Sequence, residues 1–254
     1  MRLLVLSLAL ALVFLLPALA DLRQFELPYR GFIGIPAVVL EYTVVFLHEM
    51  GHTMTRWLFG YLAYPSFDFE NGGGMKQDFK HSDILLYAVY AALFGAFVTA
   101  IIMKRAYRIA AIVAVIGCVH LALVYGQGHQ GAINYMGHGC ELLVAAFLII
   151  WAARGESVSR AVWQYLGMIF GLYLMGKNVI LSLGLATGSE AMRHAYAAQK
   201  GVHVAGDFKK IAEMIGESVQ TVAFYSMGAT VLCAALVVYL AVYLPSTERL
   251  SGIK

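Results

Sequence analysis

Long apolar stretches separated by short polar segments dominate the chain. A helix of about 17 to 25 mostly apolar residues is long enough to cross a bilayer, and this length predicts about six spans. They lie at residues 32–47, 84–103, 109–125, 142–153, 162–186 and 219–244. The fourth stretch reaches spanning length only if residues 135–141 form its first turns. We therefore expect an all-α fold, a polytopic transmembrane helix bundle.

Residues 1–20 fit two interpretations. A single Arg2, a Leu-rich stretch and Ala18-Leu19-Ala20 before Asp21 are typical of a cleaved signal peptide. The same stretch is also long enough to be a seventh span. Residues 21–254 contain no linker or repeat, so they are predicted to form one domain.

Composition agrees with a membrane location. The 254 residues are 61% hydrophobic and 13% charged, with a mean hydropathy of +0.74. Such a chain has too little polar surface for water, so the lipid bilayer is its expected solvent and the protein is a multi-pass integral membrane protein. A net charge of +3 without a basic stripe argues against nucleic acid as a partner.

Successive connections between spans must alternate between the two sides of a membrane. Segments 56–83, 126–139 and 187–218 should therefore share one side, opposite Lys104, Arg105, Arg108, Arg154 and Arg160. The positive-inside rule puts those basic residues in the cytoplasm. A cleaved signal peptide would predict the reverse, so both orientations stay open.

One apolar stretch leads into His48-Glu49-Met50-Gly51-His52, an HExxH motif. Residues i and i+4 share a helix face, so His48 and His52 can direct two imidazoles at one zinc ion. In peptidases with this motif, the glutamate takes a proton from the attacking water and passes it to the leaving amine. That role falls to Glu49. The alternative is a metal-free polar cluster that fixes helix packing.

The surrounding sequence resembles the site-2 protease class of membrane-embedded zinc metalloproteases, in a compact form without a PDZ domain. Residues 46–52 match its motif helix, Gly60 follows, and residues 67–74 resemble its short hairpin. The resemblance implies that this hairpin helps to receive an extended substrate. It also implies a third zinc ligand, an aspartate in a later Leu-Asp-Gly motif. No Leu-Asp-Gly occurs in this chain.

A catalytic zinc site needs three protein ligands and one open position. His138 and Glu141, at i and i+3 where a span begins, are the favoured source of the third ligand. Asp207 is nearest in order to the family's aspartate, but its polar surroundings favour a solvated or helix-capping acid. The remaining histidines are weaker candidates. His120 lies near a helix end, His129 lies in a Gly-rich loop, and the others are interpreted as surface residues: His81, His194 and His203.

Three further polar residues fall on expected membrane helices, where they need partners. Glu41 lies seven residues before His48 and could hold a histidine, line a proton path or pair elsewhere in the bundle. Lys177 could pair with an acid. For Asn178, the resemblance implies contact with a substrate strand.

Three functions remain open from the sequence. The first is a zinc endopeptidase that cleaves membrane-protein or peptide substrates within or near the bilayer. The second is a zinc transporter, which normally needs more ligands on a neighbouring span to make a path through the membrane. The third is a noncatalytic relative that binds membrane partners. Polar residues clustered near one face favour hydrolysis.

Overall fold

The structure is a computed structural model. It describes residues 2–23, 34–68, 73–103, 106–126, 128–154, 161–188 and 206–243, together with Glu190, Arg193 and Tyr196. Within this part of the chain, the helices with defined bounds are α1 (Arg2–Arg23), α2 (Gly34–Leu58), α3 (Asp83–Ile102), α4 (Tyr107–Tyr125), α5 (His129–Arg154), α6 (Ala161–Thr187), α7 (Asp207–Ile215) and α8 (Val219–Tyr243). Two strands, β1 (Tyr61–Asp68) and β2 (Gly73–His81), follow α2. The expected helical class is confirmed.

Five of the described helices are long and apolar enough to cross a membrane, namely α3, α4, α5, α6 and the Val219–Ala241 part of α8. This supports the expected membrane location. Of the first expected span, residues 32–47, the described part from Gly34 onward lies in α2. This helix is not among the five and continues to Leu58. Because Glu41, Glu49 and Arg56 lower its apolar character, a total of six spans stays a prediction.

Helix α5 begins earlier than its apolar stretch suggests. It runs from His129 over 26 residues, so residues 135–141 do form part of it, as its length required. The placement of His129 in a loop is wrong, since this residue opens the helix. The sequence before His138 is rich in glycine, which is typical of loops in water. In membranes, small residues instead allow close packing of helices.

The chain divides into two compact units, Val45–Gly137 and the combination of Met1–Val44 with His138–Lys254. In the first unit, α3 packs against α4, and β1 pairs antiparallel with β2, with Tyr61 opposite His81. Gly60 makes the turn between α2 and β1 with φ +81°, a left-handed conformation that favours glycine. The predicted hairpin is confirmed.

In the second unit, α6 packs against both α1 and α8. Helix α1 buries Ser7, Ala11 and Leu15, which lie four residues apart on one face. Leu15 contacts α6 at Gly176, where the missing side chain leaves room for it. Helix α7 is held by a core of buried residues from three helices: Leu185, Ala186, Phe208, Ala212, Val222 and Ala223.

Candidate metal centre

The HExxH residues form one buried turn of α2. The side chains of His48, Glu49 and His52 are 8%, 5% and 3% exposed. Helical spacing brings the two rings together, with 3.1 Å between His48 Nε2 and His52 Nε2. Two nitrogens bound tetrahedrally to one zinc ion at 2.0–2.1 Å lie about 3.3 Å apart. The histidine pair therefore fits a shared ion.

A hydrogen bond fixes the tautomer of the His52 ring. Its Nδ1 lies 2.6 Å from the backbone carbonyl oxygen of Ile133 in α5. Because a carbonyl oxygen can only accept, Nδ1 carries the proton and Nε2 keeps its lone pair in the neutral ring. Metal-bound histidines usually make this kind of bond with the nitrogen that does not bind the metal. The lone pair of His52 is thus directed toward His48.

Gly137 of α5 packs directly against both rings. A Cβ atom at this position would lie 2.5 Å from His48 Nε2 and 2.7 Å from His52 Nε2. Both distances are too short for a real methyl group. The absence of a side chain at residue 137 therefore lets the backbone of α5 approach the two imidazoles closely.

A second group of polar side chains lies in the other unit. His138, Glu141 and Asn178 are 6%, 4% and 2% exposed. His138 Nδ1 lies 3.8 Å from Glu141 Oε2. Asn178 donates a 2.6 Å hydrogen bond from Nδ2 to the same carboxylate oxygen. Glu141 is therefore oriented by an amide from α6, a contact between residues 37 apart in the sequence that no local pattern revealed.

Asp207 is buried, and its interpretation as a solvated acid is wrong. Only 4% of it is exposed, although Lys210 Nζ lies 3.6 Å from Oδ1. The reason is the packing of α7: neighbouring Phe208 is fully buried, and its ring centroid lies 4.9 Å from that of His138. Burial, followed by the charge of Asp207, raises the pKa of Tyr196. The N-terminal turn of α7 thus packs against His138 of the same unit through Phe208.

All of the candidate ligands are buried, and such side chains could bind a metal. His48 and His52 belong to the unit Val45–Gly137, whereas His138, Glu141 and Asp207 belong to the other unit. The sequence favoured His138 or Glu141 for the third ligand. The burial of Asp207 removes the reason for preferring them.

The weaker candidates have other partners. His120 donates from Nε2 to the carbonyl oxygen of Leu58 at 2.9 Å, and His129 Nε2 lies 3.2 Å from the hydroxyl of Tyr61. His81 lies 3.2 Å from the carboxylate of Asp83. His194 and His203 lie outside the described residues.

Glu41 does pair elsewhere in the bundle. It accepts hydrogen bonds from Lys177 and from the hydroxyl of Tyr173. This confirms the acidic partner expected for Lys177. Glu41 is thus tied to α6, in the same unit.

Comparison with known proteins adds no relative: no protein family, curated protein or solved structure matches this chain. The class is therefore defined by the fold and the site alone. It is a helical membrane protein whose buried histidine, glutamate and aspartate side chains could bind a metal.

Proposed function

We propose that the protein is a membrane-embedded zinc metalloprotease that hydrolyses peptide bonds of membrane-associated proteins. The observation that carries the proposal is the pair of buried Nε2 atoms 3.1 Å apart on α2. Glu49 lies buried in the same helical turn. Two histidines with a neighbouring glutamate are the residues that hydrolysis by a zinc-activated water requires.

The ligand set that we propose is His48, His52 and Asp207. Two histidines and one carboxylate form a common donor set of catalytic zinc sites, which leaves one position open for water or substrate. Asp207 is a buried carboxylate and can supply the ligand that the two motif histidines lack. Glu141 then serves as a supporting residue, consistent with its hydrogen bond to Asn178.

A zinc ion held by these residues would polarise the scissile carbonyl and make a nucleophile from water near neutral pH. Glu49 accepts the proton of the attacking water and later donates it to the leaving amine. The burial of this turn limits access of bulk water, which strengthens electrostatic interactions inside the site. The hydrogen bond to the Ile133 carbonyl oxygen orients the His52 ring.

The hairpin after α2 offers a means of holding the substrate. Among the described residues, β1 and β2 form a two-stranded sheet, so each strand has one edge without a partner strand. An extended peptide can add to such an edge through backbone hydrogen bonds. Extended substrates are also the form in which a scissile peptide bond is accessible to a nucleophile. This supports a polypeptide as the substrate.

The test is Glu49→Gln, measured with a set of quenched-fluorescence single-span peptides in detergent micelles. The amide keeps the shape of the side chain but cannot accept the proton. We expect zinc content to stay at the wild-type level while cleavage falls by about 10²- to 10⁴-fold. Glu213→Gln, on an exposed carboxylate of α7, is the matched control and should cleave normally. Undiminished cleavage by Glu49→Gln would refute the proposed reaction.

A further inference from the structure

Helix α6 contains one charged side chain, Lys177, in the middle of a span of 27 residues. Its ammonium group donates to Glu41 Oε1 of α2, although Glu41 is partly exposed. Tyr173, about one turn earlier on α6, donates from its hydroxyl to Glu41 Oε2 at 3.0 Å. Two side chains of α6 thus hold both carboxylate oxygens of a residue on α2.

The next residue of α6 holds a different helix. Asn178 donates from Nδ2 to Glu141 Oε2 of α5 at 2.6 Å and to the carbonyl oxygen of Leu174 at 3.0 Å. The bond to its own helix backbone fixes the direction of the amide. Successive residues of α6 therefore attach α2 on one side and α5 on the other.

These contacts are more costly than helix packing requires. Charged groups in a membrane are energetically unfavourable and are usually retained for function. The same helix also makes an uncharged contact that joins two helices. Ser182 of α6 is hydrogen-bonded to Ser226 of α8, with the hydroxyl oxygens 3.1 Å apart. An ion pair and a buried amide on the α2 and α5 side need a reason beyond association of helices.

We propose that Lys177 and Asn178 are positioning residues of the metal centre, an inference that rests on the proposed function. Helix α2 continues from Glu41 to His48 and His52, and α5 carries Glu141 together with Ile133 and Gly137. By fixing the rotation of α2 and α5 about their axes, α6 sets the directions of the metal-binding side chains. It does so without contributing a ligand.

The first test is Asn178→Ala, with the zinc dissociation constant measured by chelator competition in detergent. Residues that orient ligands typically change metal affinity by about 10- to 100-fold, and we expect a loss in this range. The visible absorption of the Co²⁺-substituted protein should also change, since it reports ligand geometry. Ser182→Ala is the matched control: it removes a buried hydrogen bond of the same helix and should lower the melting temperature but not zinc affinity.

The second test concerns the ion pair. The neutral pair Glu41→Gln with Lys177→Met should weaken zinc binding, because it removes the attachment without leaving an uncompensated charge. The exchanged pair Glu41→Lys with Lys177→Glu should restore most of the affinity. If the exchanged pair does not fold, Lys177→Arg replaces it in the test. This variant keeps the positive charge and should keep zinc affinity close to that of the wild type.

The inference is overturned if Asn178→Ala and the neutral pair both keep wild-type zinc affinity and the wild-type Co²⁺ spectrum. The proposed function would then still stand, since it depends on His48, His52 and Glu49. Failure of the proposed function has a different signature. In that case, the wild-type protein itself would bind no zinc or, with zinc bound, would cleave as well after Glu49→Gln, and the inference would fall with it.

Discussion

Helices α3 and α4 differ from α5 and α6 in what they bury. The first two have mean hydropathies of 2.2 and 2.1, and 11% of each spanning window is buried. For α5 and α6 the hydropathies are 1.7 and 1.6, with 44% and 39% buried. The less apolar helices are thus the more enclosed ones, opposite to the trend in water-soluble proteins.

The buried residues explain why the less apolar helices are the more enclosed ones. Helix α3 buries Ala100, and α4 buries Ala110 and His120. Helices α5 and α6 bury a larger set of polar side chains: Asn134, His138, Glu141, Gln164, Asn178 and Ser182. In lipid, an apolar surface needs no covering, whereas a polar group must find a partner inside the protein. Lower hydropathy in a span therefore marks the helices that bury polar side chains.

The largest expected effect is at Asp207, outside these four helices. Asp207→Ala should remove stoichiometric zinc and hydrolysis, because it deletes the carboxylate of the proposed ligand set. Glu141→Ala should weaken zinc binding without abolishing it. Elemental analysis of the purified variants checks both. Retention of zinc by Asp207→Ala, with loss in His138→Ala or Glu141→Ala, would reassign the third ligand to α5.

Gly137→Ala should produce the next largest effect. The added methyl group would clash with His48 Nε2 and His52 Nε2 and displace the two rings. Zinc affinity should therefore fall by about 10- to 100-fold, as on loss of an orienting residue. Chelator competition measures it. Gly171→Ala is the control: its Cβ would lie 2.8 Å from Ile149 Cγ1, so it should lower stability and leave zinc binding unchanged. Equal zinc affinity in Gly137→Ala and wild type would show that the His48 and His52 rings do not bind the ion in this arrangement.

His120→Leu tests whether a buried polar residue of α4 has only a structural role. It removes the hydrogen bond to the Leu58 carbonyl oxygen, which should cost about 1 kcal/mol of stability. Zinc content and cleavage should not change. Thermal unfolding in detergent, together with elemental analysis, would detect either result. Loss of zinc in this variant would show that α4 also supports the metal site, against the contrast drawn between α3 with α4 and α5 with α6.

The smallest effect is expected at Phe94 of α3, which is 68% exposed. Phe94→Leu replaces one apolar surface group with another, so the change in unfolding free energy should stay within about 0.5 kcal/mol. The same unfolding measurement applies. A loss well above this value would show that Phe94 packs against a protein partner instead of lipid.

Features that depend on local spacing were predictable from the sequence. Helices α3, α4, α6 and α8 begin and end within a few residues of their apolar stretches, because crossing a bilayer fixes their length. The pairing of His48 with His52 follows from helical periodicity alone. The hairpin followed from the resemblance of residues 67–74, and the structure confirms it.

Features that depend on partners distant in the sequence could not be predicted from it. Asp207 lies among charged residues, and its burial results from packing of Phe208 and Ala212 against α6 and α8. The start of α5 was missed because glycines that allow close packing in a membrane resemble those of a loop in water. Asn178 and Glu141 are on different helices, so no periodicity relates them.

The central claim is that the HExxH turn of α2 binds the zinc ion used in hydrolysis. Its most direct test is the zinc content of the purified wild-type protein and of the double variant His48→Ala with His52→Ala, measured by elemental analysis. The wild type should contain about one zinc per chain, as expected for one catalytic site. The double variant should contain none above background while remaining folded. Full zinc occupancy in the double variant would contradict the assignment.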